Sequence, residues 1–266
     1  MQAIAIGPLI FAGGGIAAII GIGVFLVVTS ILGKRVDPRL GRWANAVLIA
    51  GLIAARLGHV VEHASSFAVQ PWRVIAIWQG GFSYWWGLTA AVLVSAFWTR
   101  SLRFGLWVAF ASGASLAAWN IVYQLTSADL QTPLPTTTFE RLDGRRAVLG
   151  QTGGKPIVIN LWASWCPPCR REMPLLAKVA ARRDDVAFLF VNQGEDKAKI
   201  NSYLASSGLS LSDVLLDPLE EATRHYQTPG LPSTLFVGTD GKLQSIQIGE
   251  ISPEALDENI SRLLGR

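Results

Sequence analysis

The chain opens on an apolar run from Ile4 to Gly33, and no Lys, Arg, Asp or Glu occurs between Met1 and Gly33. A run of that length exceeds the ~20 residues needed to cross a bilayer. Met1 to Gly7 carries no positive charge, so the pattern predicts a retained first transmembrane helix rather than a secretory signal. Further apolar runs at Trp43–Phe67, Phe82–Trp98 and Leu106–Leu125 predict three more spans, the third of them short. From Phe139 onward charged residues are frequent and the period changes. Strand patterns at Thr137–Leu142 and Arg146–Leu149 flank the turn pair Asp143-Gly144. Further strand patterns cover Pro156–Trp162, Val186–Asn192, Leu215–Asp217, Ser233–Gly238 and Lys242–Ile248. Helical patterns cover Pro168–Arg182, Lys197–Ser206, Glu220–Tyr226 and Ser252–Leu264, the last with Ser252 as N-cap and Pro253 at N1. The prediction is an α-helical transmembrane bundle of about four spans over residues 1–126 and a polar, proline-bearing linker over 127–136. An α/β layered domain follows over 137–266.

Charge orients the spans. Lys34, Arg35, Arg39 and Arg42 follow the first span, and Arg100 and Arg103 follow the third, whereas the loop between spans two and three holds only Arg73. The positive-inside rule turns the first and third loops to the cytoplasm. The amino terminus and the α/β domain then lie outside, in a periplasm-like space. Trp72, Trp78, Trp85 and Trp86 cluster where an outer interfacial belt is expected. The net charge of +4 does not indicate a nucleic-acid partner, because no Lys/Arg cluster interleaved with aromatics is present. Membrane lipid is the expected surrounding partner.

Span two carries a polar stripe of Arg56, His59, Glu62 and His63, which falls within an arc of about 120° on a helix. Ionisable groups at membrane depth are costly and often functional. The expectation is that the stripe faces the bundle interior near the outer headgroups, with Arg56 paired to Glu62; a lipid-headgroup or quinone contact is the functional alternative. His59 to His63 also spells H-x-x-E-H, but with no third ligand evident nearby the sequence predicts no metal site. Gly51-Leu52-Ile53-Ala54-Ala55-Arg56-Leu57-Gly58-His59, followed by Pro71 to Ser83 with its Ile77-Trp78-Gln79-Gly80-Gly81-Phe82-Ser83, resembles the early part of prolipoprotein diacylglyceryl transferases. Trp85 stands where that family's signature has histidine, and the later arginine-bearing segments have no counterpart. The resemblance therefore implies a degenerate lipid-enzyme scaffold.

The chain has two cysteines, Cys166 and Cys169, in one CxxC, so no disulfide framework is available. Half a structural zinc site would need two more ligands, and the only other histidine after the linker is His225. Trp165-Cys166-Pro167-Pro168-Cys169 follows a predicted strand and opens a predicted helix. Unpaired N–H groups and the helix dipole there favour a thiolate on Cys166. Cys166 is expected to attack a substrate disulfide and Cys169 to resolve the mixed disulfide. The redox centre is the protein's own dithiol, with no other cofactor expected.

Val158 to Pro174, with Gly230-Leu231-Pro232-Ser233-Thr234-Leu235-Phe236-Val237 and Asp240-Gly241, closely resembles the TlpA/ResA/DsbE group of membrane-tethered thioredoxin-like proteins. The resemblance implies a cis Pro232 packed against the CxxC, and a Leu231 backbone that pairs with substrate. Trp165, Pro167 and Pro168 are the other expected substrate contacts. Thioredoxin has a buried aspartate where Asn160 stands, and the resemblance gives the proton-acceptor role to Glu172, three residues after Cys169. It further implies a periplasmic reductant of protein disulfides at a bacterial inner membrane, in family members often serving cytochrome c or copper-centre assembly. The membrane half lacks cysteine, so a separate transmembrane electron donor is expected. The alternative is a lipid- or lipoprotein-binding membrane protein with an accessory redox domain.

Overall fold

The computed structural model describes residues 4–6, 9–11, 13–126, 132–150 and 152–265. It divides into two compact units, a helical one over Gly13–Thr126 and an α/β one to which Met1–Ala12 and Ser127–Arg266 are assigned.

The first apolar run is not one helix. Ile4–Ile6 (β1) and Leu9–Phe11 (β2) pair antiparallel, and helix α1 covers Gly13–Arg35. Pro8, which lacks an amide hydrogen and fixes φ, interrupts the run in sequence, and it is the residue type least compatible with a helix interior. Helix α2 (Arg39–Glu62) stops earlier than the apolar pattern predicts: His63 caps it, and a short α3 (Ala64–Val69) and two 3-10 turns, Pro71–Ile75 and Ile77–Gln79, follow. Helices α4 (Tyr84–Trp98) and α5 (Leu102–Thr126) complete the unit.

Three of these helices, over Gly15–Arg35, Arg39–Glu62 and Leu102–Leu125, are long and apolar enough to cross a membrane. The expected third span, α4, has 15 residues. At 1.5 Å per residue it reaches about 22 Å, short of the ~30 Å hydrocarbon core. The outer faces are apolar and exposed, as at Val27, Ile49, Leu93 and Leu116, which suits lipid as the surrounding solvent. Inside, Phe25, Trp43 and Phe104 form a buried cluster. The Trp43 Nε1–H donates to Ser95 Oγ at 3.1 Å, and Ser115 Oγ donates to the Gly21 carbonyl at 2.8 Å. Gly21 permits that approach of α1 to α5: a Cβ there would lie 3.0 Å from Trp119 Cβ.

The α/β unit contains a seven-stranded sheet. Its strands are β3 (Thr138–Arg141), β4 (Arg146–Val148), β5 (Ile157–Trp162), β6 (Ala187–Gln193), β7 (Val214–Asp217), β8 (Ser233–Val237) and β9 (Leu243–Ile248), in the order β4-β3-β7-β6-β5-β8-β9. The β5–β6 and β6–β7 pairs are parallel and the others antiparallel. Helices α6 (Pro167–Ala180), α7 (Lys197–Ser207), α8 (Glu221–His225) and α9 (Pro253–Leu263) connect and close it. Every residue of β5 is buried, because both sheet faces are covered. Side chains alternate: Val158 and Trp162 pack with Met173 of α6, Ile200 of α7 and Ile260 of α9, while Ile157, Ile159 and Leu161 pack with Ala222 of α8. Asn160 shares the parity of Val158 and Trp162, which puts a polar group under α6.

Part of the expected linker is ordered. Pro133 bridges to Lys242, the Leu134 N–H donates to the Gly241 carbonyl at 3.0 Å, and the Leu243 N–H donates to the Thr132 carbonyl at 3.0 Å. Residues 127–131 of the linker lie outside the described residues.

Candidate active site

Strand β5 delivers the chain to the CxxC and α6 receives it. Cys166 is the N-cap of α6, and its Sγ accepts a hydrogen bond from the Cys169 N–H at 3.2 Å. The sulfur thus occupies the place of a capping oxygen, against backbone donors that carry the positive end of the helix dipole. The missing amide hydrogen of Pro167 costs nothing at N1, and its fixed φ suits the first helical turn. Cys166 and Cys169 are joined by a disulfide and both are buried. Trp165 beside them is 67% exposed, Pro167 is exposed and Pro168 half-buried. The helix continues through Pro174.

The Leu231–Pro232 bond is cis. In the β5–β8 pairing Leu161 lies opposite Ser233, so Pro232 sits at the end of β5 where the chain runs on toward Cys166. Leu231 packs against the cluster that holds Cys166 and Cys169. Residues some 65 positions apart in the chain (166 to 231) therefore meet beyond the end of β5.

Glu172 lies on the same buried face of α6 as Cys169 and is 2% exposed. Its Oε1 accepts from Asn160 Nδ2 at 2.8 Å and its Oε2 from the Ile251 N–H at 2.9 Å. Burial pushes the Glu172 carboxyl up to about 7, against the downward pull of those two hydrogen bonds. Asn160 Nδ2 also donates to Thr234 Oγ1 at 3.2 Å, while its Oδ1 is buried with no hydrogen-bond partner among the described residues.

No sequence pattern singles out Glu195. Its buried carboxylate accepts from the Ser164 N–H at 2.6 Å, from Ser164 Oγ at 2.5 Å and from Asn192 Nδ2 at 2.8 Å. It ties the end of β6 to the loop two residues before Cys166. Only the Glu195–Ser164 juxtaposition reveals it, and that depends on the sheet order.

In the helical unit the polar stripe is rearranged relative to expectation. Arg56 is buried and turns its guanidinium onto the loop that follows α2. Its Nε donates to the Val74 carbonyl at 3.0 Å, Nη1 to Gly80 and Gly81 at 2.7 and 2.8 Å, and Nη2 to Arg73 and Ala76 at 2.5 and 3.5 Å. Five carbonyls thus match the five N–H groups of a guanidinium. Glu62 instead accepts, at Oε1, from Ser83 Oγ at 2.9 Å and Trp86 Nε1 at 3.0 Å. His59 and His63 have ring centroids 4.4 Å apart. Of the expected tryptophan belt, Trp72, Trp85 and Trp86 are exposed, and the side chain of Trp78 lies outside the described residues.

A CxxC at the start of a helix, a cis proline across the sheet and a buried carboxyl behind the second cysteine define a thioredoxin-like dithiol site. The Redoxin family model matches residues 130–263, half of the chain, and the chain belongs to that family. The prolipoprotein diacylglyceryl transferase model matches residues 2–122. The chain is 26% identical over 146 residues to the thiol-disulfide oxidoreductase ResA of Geobacillus thermodenitrificans, covering 54% of this chain and 83% of that one. It is 29% identical over 144 residues to the thiol:disulfide interchange protein DsbE of Escherichia coli K12, covering 52% and 76%. Among solved structures it resembles a putative thiol:disulfide interchange protein DsbE from Chlorobium tepidum, with a TM-score of 0.47 and 26% identity, covering 52% of this chain and 100% of that chain. The protein is a thioredoxin-like thiol–disulfide oxidoreductase, similar to ResA and DsbE, joined to a membrane region.

Proposed function

We propose that the protein reduces disulfides of proteins on the outer face of the membrane, through a mixed disulfide formed by Cys166. The observation that carries this reading is the Cys166 Sγ held at the α6 N-cap by the Cys169 N–H. In the reduced enzyme the same donors stabilise the Cys166 thiolate. That thiolate attacks one sulfur of the substrate disulfide, and the other sulfur leaves as a thiolate. Cys169 then gives its proton to Glu172 and attacks Cys166 Sγ. The S–S bond of the enzyme forms, the second substrate sulfur leaves, and two electrons have passed to the substrate. Glu172 suits the acceptor role because its affinity for a proton is tuned near neutral pH. Exposed Trp165 and Pro167, with Pro168, Leu231 and Pro232, supply the substrate-facing rim. The dithiol is its own redox centre, and a separate membrane electron donor returns the enzyme to the reduced form.

The test is paired substitution. Cys166→Ser should abolish disulfide reduction, and Cys169→Ser should accumulate mixed disulfides with substrate in intact cells. Undiminished turnover in both variants would end the proposal. The trapped partners also identify the substrate and the direction of electron flow.

The transferase-model match over residues 2–122 favours a second role, lipid or lipoprotein binding by the helical unit. Arg56 serves that role indirectly, by shaping the loop it clamps. Phospholipid that copurifies with the chain and is lost on Arg56 substitution would support this role. Full function after exchange of the helical unit for a single-span anchor would dispose of it.

A further inference from the structure

Read along the chain, the H-x-x-E-H sequence on α2 showed no third ligand nearby. In the structure the ligand atoms of His59, Glu62 and His63 all lie within 4.8 Å of one another. We propose that His59, Glu62 and His63 form a binding site for a divalent transition-metal ion of the zinc class.

Each of three further observations prepares the cluster for a cation. First, His63 Nδ1 lies 3.1 Å from the His59 carbonyl oxygen. A carbonyl only accepts, so Nδ1 carries the proton and the Nε2 lone pair is left for a metal. A ligating histidine typically engages its other nitrogen in this way. Second, Glu62 is held from behind. Ser83 Oγ and Trp86 Nε1 both donate to Oε1, and among the described residues no hydrogen bond is directed at Oε2. One oxygen orients the carboxylate and the other remains for coordination. Third, the cluster occupies the last turn of α2 and its C-cap, His63. The carboxy terminus is the negative end of the helix dipole, which favours a cation.

The donor set selects the ion. Two imidazoles and one carboxylate suit zinc, copper or nickel, whereas calcium and magnesium require oxygen cages. Three protein ligands leave a coordination position open to water or a further ligand. Arg56, one turn back along α2, sends its guanidinium onto loop carbonyls. The site is independent of the dithiol, so its failure and the failure of the redox reading are separate results.

The experiment uses the full-length chain in detergent, oxidised so that Cys166 and Cys169 cannot bind metal, and stripped with a chelator. Equilibrium dialysis against Zn2+ with elemental analysis should give one bound ion per chain. His59→Ala, Glu62→Gln and His63→Ala should each weaken binding at least ~10-fold, and Trp86→Phe, which removes a support but no ligand, should weaken it ~10-fold. Circular dichroism checks that the variants keep their helices. As a measurement free of variants, Co2+ bound to the wild-type chain should show the visible absorption of nitrogen and oxygen coordination. No Zn2+ bound by the wild type, undiminished Zn2+ in the folded His59→Ala/His63→Ala variant, or a featureless Co2+ spectrum would each overturn the proposal.

Discussion

Asn160 on β5 and Glu172 on α6 are joined by a buried hydrogen bond of 2.8 Å, amide to carboxylate, behind the CxxC. Asparagine donates to the ionised acid without adding charge, so the proton affinity of the site belongs to Glu172 alone. With burial holding that carboxyl near 7, resolution by Cys169 should accelerate as pH rises through about 7. Glu172→Gln should flatten this profile and slow resolution roughly 100-fold, the usual worth of a placed general base. Stopped-flow decay of a preformed mixed disulfide, followed from pH 5 to 9, checks it.

The same shift carries a stability signature. A carboxyl whose folded value is raised binds more protons in the native state than in the unfolded one. Stability is therefore greatest below the unfolded value of 4.5 and declines as pH rises through about 7. The loss is on the order of 3 kcal/mol for a shift of this size. Native-state hydrogen exchange of the β5 amides at pH 5 and pH 8 should show that decline, and Glu172→Gln should remove most of it.

Asn160 also fits the protonated acid. Its Nδ2 serves Glu172 and Thr234 while Oδ1 is unpartnered among the described residues. A flipped amide would accept from a protonated Glu172 and from the Thr234 hydroxyl. Asn160→Leu deletes a hydrogen bond that lowers the Glu172 value, so the midpoint of the pH–rate profile should move above 7. Asn160→Asp places a second carboxylate beside the first and should move it further, as two coupled steps.

Glu195 holds the loop before Cys166 through three bonds to Ser164 and Asn192. Glu195→Ala leaves those donors without their acceptor and should cost about 1–3 kcal/mol. Ser164→Ala, which removes only the hydroxyl contact, should cost less. Denaturant midpoints of the oxidised chain compare the two.

Arg56→Ala removes the donor to five loop carbonyls around Val74 and Gly80 and should cost about 1–3 kcal/mol, the usual worth of leaving such groups without a protein partner. Arg56→Lys should recover little, because three donors on one nitrogen cannot reach carbonyls arranged around a planar fork. Limited proteolysis between Gln70 and Ser83 reads the outcome.

The sequence by itself determined what depends on local spacing. Hydrophobic period separated a helical half from an α/β half, and the strands and helices of Phe139 onward fall within a residue or two of their predicted places. Cys166 and Cys169 were legible because a CxxC between strand and helix has its meaning in adjacent residues, and Pro232 because of its own motif. Helix ends in the membrane half were less legible: uniform apolarity hides where His63 interrupts it. The tertiary structure alone decided which distant polar groups meet. It brought Glu195 to Ser164, the Ile251 N–H to Glu172, five carbonyls to Arg56 and the Ser83 and Trp86 donors to Glu62. Most of these pairings satisfy a hydrogen-bonding group that folding removes from water, and each partner is chosen by sheet order and helix packing, which no local pattern encodes.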